Sequence, residues 1–100
     1  MKLSPIIALF ITALLSGCGA SNFMLERGQA SYERQDYRQA FLRLEPVAKA
    51  GNMDAQYAIA YMYYNGQGVV ENSQQARNWM QRAADQGQMD AIKALSIIKK

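Results

Sequence analysis

The chain predicts an all-α fold, a short α/α solenoid of antiparallel helix pairs with about five helices behind an N-terminal leader. Three observations predict it. Laid against itself with a shift of 36 residues, the stretch from Asp36 to Ile59 matches Asn72 to Leu95 at eight of 24 positions, mostly small residues: Gln39, Ala40, Ala48, Gly51, Met53, Asp54, Ala55 and Ala58 recur as Gln75, Ala76, Ala84, Gly87, Met89, Asp90, Ala91 and Ala94. Each copy opens on a residue suited to cap a helix and is punctuated by glycine. Half the residues are hydrophobic, yet only one is a cysteine, so the fold must rest on packing and not on disulfides.

The elements follow in order. A first, shorter pair is expected over Asn22 to Gln35 and Asp36 to Ala50, joined without a glycine loop. Asp36 and Asn72 stand where helices begin, and Gln39 and Gln75 come three residues later. Both copies therefore carry the acceptor and the reciprocal partner of a capping box. These helices should run to Ala50 and Gln86, where Gly51 and Gly87 supply the left-handed residue that closes a helix end. Asn52 should cap the next helix, Met53 to Tyr64, while Gln88 is a poorer cap for the last, Met89 to Ile98. Pro46 removes a backbone donor inside the second helix, so a kink or break is expected there, with a bend near Leu42 to Pro46. The alanines of both copies are small because closely approaching helices leave little room.

The second unit carries Ala55, Ile59, Ala60, Met62, Tyr63, Gly66, Gly68, Val69, Ala76, Trp79, Ala83, Ala84 and Gly87. In these residues it resembles the Sel1-like repeat, a relative of the tetratricopeptide repeat with a Gly-x-Gly loop between its helices. The resemblance implies a repeat domain over residues 22–100, with one full repeat at about 52–87. Ala60 and Met80 depart from the family's usual Gly and aromatic residue, but both are apolar. The Asn65-Gly66-Gln67-Gly68 segment lacks the strand and the Lys-Ser/Thr of a phosphate loop and is read as a turn. Trp79 and Met80 fall on a buried helix face. The six methionines are read as core fillers or the start residue and not as a metal cluster. Lys99 and Lys100 are read as a solvated helix end.

The N-terminus has the anatomy of a secretory leader: Lys2, an apolar run from Ile6 to Leu15, then small residues. Such a run is too short to cross a bilayer, which takes about 20 helical residues. Leu15-Ser16-Gly17-Cys18 resembles the lipobox of bacterial lipoproteins. The resemblance implies that residues 1–17 are removed, that Cys18 takes a covalent lipid, and that 18–21 form a short tether. Gly19 in place of Asp implies sorting to the outer membrane, facing the periplasm.

Function classes narrow accordingly. Without Lys2, ten Lys and Arg face eight Asp and Glu, a near balance that predicts no nucleic-acid binding. There is no histidine, and lipidation would consume the single thiol, so histidine-dependent nucleophiles and histidine metal sites are excluded. No enzymatic activity, catalytic residue, metal or cofactor is expected beyond the lipid on Cys18. The candidate partner-binding residues are aromatic and aliphatic. Tyr57, Tyr61 and Tyr64 are spaced by four and three, a stripe beside the buried Ala55, Ile59, Met62 and Tyr63, on a helix that in such solenoids lines the concave surface. Ile92 and Ile97 should be partly exposed on a last helix with no second helix to complete its pair, a face for a partner or for weak self-association. The expected partner is a protein or peptide of the cell envelope held by a lipid-anchored adaptor. The alternative is an immunity protein that masks an envelope-active enzyme.

Overall fold

The computed structural model describes residues 22–98, and every regular element among them is helical. Helix α1 occupies 22–33, α2 Tyr37–Lys49, α3 Met53–Asn65, α4 Ser73–Asp85 and α5 Met89–Ile97. This is the five-helix arrangement the repeat pattern predicts. The leader, Cys18 and its tether, Lys99 and Lys100 lie outside the described residues. Helices α2 and α3, α3 and α4, and α4 and α5 pack on one another, and short connections between consecutive helices make such neighbours antiparallel.

The core is built from a few large side chains set among alanines. Leu44, Ile59, Met62 and Met80 are buried, and Ala40, Ala48, Ala55, Ala60, Ala83 and Ala91 are fully inaccessible. Each large apolar side chain so buried contributes about 1.5–3 kcal/mol, while the alanines let the backbones approach. Trp79 joins this cluster, and the Arg82 guanidinium lies over its ring at 4.5 Å from the centroid. Phe41 and Tyr63 meet edge to face at 5.4 Å, which ties α2 to α3.

The helix ends follow the expected chemistry with instructive exceptions. Gly51 and Gly87 have φ of 110° and 94°, and Asn52 and Asn72 accept bonds from the Ala55 and Gln75 amides at 2.9 and 3.0 Å. Asp36 occupies the N-cap of α2 but makes no side-chain cap bond, so the expected capping box is absent there. The reciprocal half is not made at Asn72 either, because its own amide donates to the Tyr63 carbonyl at 2.9 Å. Gln88 corrects the opposite expectation. Its Oε1 accepts from the Ala91 amide at 2.7 Å while its Nε2 donates to Asp54 Oδ1 at 3.2 Å, so this longer side chain is held from both ends. The break expected at Pro46 does not occur: α2 runs unbroken to Lys49 and the Pro46 carbonyl accepts from Ala50. Proline lies in the last turn and forfeits only the bond to the carbonyl of Leu42, an exposed residue.

A buried glutamine, Gln56, and an exposed one, Gln86, fasten the two units. Gln56 of α3 is buried; it donates to the Ala48 carbonyl at 3.1 Å and accepts from Gln86 Nε2 at 2.9 Å. Gln86 also donates to the Gly51 carbonyl at 2.9 Å. The ends of α2 and α4 are thus joined across α3, and burying the Gln56 amide costs little because both of its polar ends are paired.

Candidate functional site

Helices α1, α3 and α5 are the first helices of successive pairs, and together they wall an open groove of about 680 Å³. From α1 come Gln29, Tyr32 and Glu33; from α3, Asp54, Tyr57, Ala58 and Tyr61; from the start of α5, Gln88 and Asp90; Leu44 of α2 forms part of the floor. The lining follows from repeat spacing. Asp54 and Asp90 are equivalent positions one unit apart, so the same carboxylate is presented at the start of two successive groove helices. Tyr57 and Tyr61 lie one turn apart on α3, with ring centroids 6.3 Å apart and planes tilted by 49°.

Of the stripe read from the sequence, Tyr57 and Tyr61 face the groove. Tyr64, in the last turn of α3, is exposed but does not line it. Ile92 and Ile97 are 44% and 81% exposed, in line with the expected exposure, and neither lines the groove. Tyr63 is half-buried rather than fully buried.

The residues that sequence reasoning missed are Tyr32, Glu33, Asp54, Gln88 and Asp90. The rule that the first helix of each pair lines the concave side applies equally to α1 and would have found Tyr32. The carboxylates are not singled out by residue type and join the tyrosines only in the assembled groove.

Tyr32 is held by two contacts. It meets Tyr37 edge-on at 5.1 Å, its hydroxyl donates to Gln67 Oε1 at 3.0 Å, and burial raises its pKa above the usual tyrosine value despite that bond. The Tyr57 pKa is raised as well, first by burial and then by the Asp90 carboxylate. Both hydroxyls therefore stay protonated at neutral pH. The stability linked to their neutral form is fully present below pH 10 and is lost as pH rises through the higher folded values. The groove is aromatic in its walls, acidic in its charge and without a basic side chain in its lining. Among the described residues no three His, Cys, Asp or Glu are grouped to hold a metal ion, and no helix is long and apolar enough to cross a membrane.

The model of the Sel1 repeat matches residues 16–42 and 54–88, so the chain belongs to the Sel1 repeat family. The second match falls on α3 and α4 with the glycine loop between them. The first covers α1 and ends within α2, as befits an abbreviated unit. None of the curated proteins matches the chain. This repeat fold supports a scaffold role in protein–protein interaction.

Proposed function

We propose that the protein is a lipid-anchored adaptor of the bacterial cell envelope, carried by Cys18 at the outer membrane and holding a segment of a partner protein in the groove on its periplasmic side. The observation that carries the docking half is the convergence of Tyr32, Tyr57 and Tyr61 from two helices into one groove, since tyrosines give large contact area at small entropic cost. The anchor half rests on Leu15-Ser16-Gly17-Cys18 behind a short apolar run. The groove is favoured over Ile92 and Ile97 because those isoleucines stand on one helix, whereas the groove is built from several elements.

One experiment separates the two halves. Wild type, Cys18→Ala and the double variant Tyr57→Ala/Tyr61→Ala are produced in a bacterial host, partitioned in detergent and weighed by mass spectrometry with whatever co-purifies. Cys18→Ala should lose acylation and detergent partitioning. The tyrosine variant should keep both and lose its partner. A wild-type product that begins elsewhere than Cys18 and carries no lipid ends the anchor reading, and full partner recovery with the tyrosine variant ends the groove reading.

A further inference from the structure

The groove combines two features that point to one kind of occupant. All of its charged lining residues are carboxylates, Glu33, Asp54 and Asp90, in a chain whose net charge is +3. Among the described residues the ion pair formed is Lys49 with Glu45 on the exposed side of α2, so these three carboxylates have no cationic partner among those residues. The aromatic faces show the same vacancy. Arg82 lies over Trp79 and Arg27 over Phe23, at 4.5 and 5.4 Å, while no described cation lies over the rings of Tyr32, Tyr57 or Tyr61.

Resting on the docking reading above, we infer that the groove takes a protein segment presenting an arginine or lysine side chain to the Tyr57 and Tyr61 rings and to the carboxylates of Asp54, Asp90 and Glu33. A guanidinium meets both demands at once, stacking its plane on a tyrosine face and donating to a carboxylate at its edge. An acidic segment would bring like charges together in a partly desolvated groove. A wholly apolar one would leave the carboxylates covered and unpaired, which is costly. Asp54 is pre-oriented for the task by its bond from Gln88, so little ordering remains on binding.

The test uses the full chain in detergent and fluorescently labelled short peptides of one Ala/Ser/Leu sequence with Arg, Lys, citrulline or Glu at the centre, titrated by anisotropy. The Arg and Lys peptides should bind about tenfold more tightly than the citrulline and Glu peptides, a preference that shrinks as salt rises. Asp54→Asn with Asp90→Asn should bring the Arg peptide close to the citrulline level. Because that pair touches the start of α5, Glu33→Gln on α1 provides an independent variant, with an expected loss of about two- to fivefold. Asp85→Asn, outside the groove, should change nothing. An Arg peptide that binds no better than the Glu peptide, or a preference that survives loss of the carboxylates, overturns the inference. If all four peptides bind equally and Tyr57→Ala weakens them all, the charge preference falls and the groove stands as a docking site. Failure of every peptide to bind removes both.

Discussion

The two helix pairs are built to the same plan and finished differently. In the second, α3 and α4 are joined by a loop in which Gly66 and Gly68 take φ of 68° and 74°, and α4 opens on an asparagine that caps it. In the first, the turn between α1 and α2 places Gln35 at φ 64°, a conformation costly without glycine, and Asp36 makes no cap bond. The deficit is met from outside. Gly68 lies so close to the start of α2 that an added Cβ would stand 2.5 Å from the Tyr37 carbonyl oxygen; Arg38 donates to the Gly68 carbonyl at 3.3 Å, and Tyr32 donates to Gln67. An abbreviated unit is thus completed by the loop of the full one. The contacts that complete it also hold Tyr32 beside the groove, so stability and site share one joint.

The largest effect that can break this comparison is expected at Trp79. Trp79→Ala should cost about 3–5 kcal/mol, a large share of the 5–15 kcal/mol typical of whole domains, and both pairs should lose structure in one denaturation transition. Persistence of α1 and α2 after the second pair melts would show that the first stands alone.

Gly68→Ala sharpens the same point. Strain at positive φ and the clash with the Tyr37 backbone should together cost about 2–4 kcal/mol. Amide exchange should rise first in α1 and α2, because that is the surface against which the loop packs. A variant that melts like wild type would remove the loop from its proposed role.

The smallest effect is the most pointed, because it concerns equivalent positions. Asn72→Ala should cost about 1 kcal/mol by deleting a made cap, whereas Asp36→Ala should stay within about 0.5 kcal/mol because no cap bond is there to lose. Equal losses in urea denaturation would contradict the difference between the two turns.

Much of the fold was legible in the sequence because its determinants are local. Gly51 and Gly87 end helices by their own conformational freedom, Asn52 and Asn72 start them with their own side chains, and the alanine spacing reports helix approach directly. What was not legible depends on residues distant in the chain. Gln56 is buried because its partners, Ala48 and Gln86, lie on two other helices, and nothing near it signals this. Asp36 was misjudged because residue type fits a cap while the backbone, at ψ 72°, is not extended. Gln88 was undervalued because its second bond goes to Asp54, a unit earlier. The site divides the same way. Tyr57 and Tyr61 follow from spacing along one helix, but Tyr64 is separated from them because the groove wall stops short of the last turn. Tyr32 and the carboxylates join them only once three helices are assembled.

Site-specific photo-crosslinking tests the central claim, that partners dock in the groove, most directly. A benzophenone side chain placed in separate full-length proteins at positions 57, 61, 64, 92 and 97 is irradiated in cells that produce the protein, and the adducts are compared by mass spectrometry. The account predicts one shared partner adduct at 57 and 61, weak or absent at 64, 92 and 97. The same adduct at 92 and 97 with none at 57 and 61 would place docking on the exposed face of α5 and contradict it.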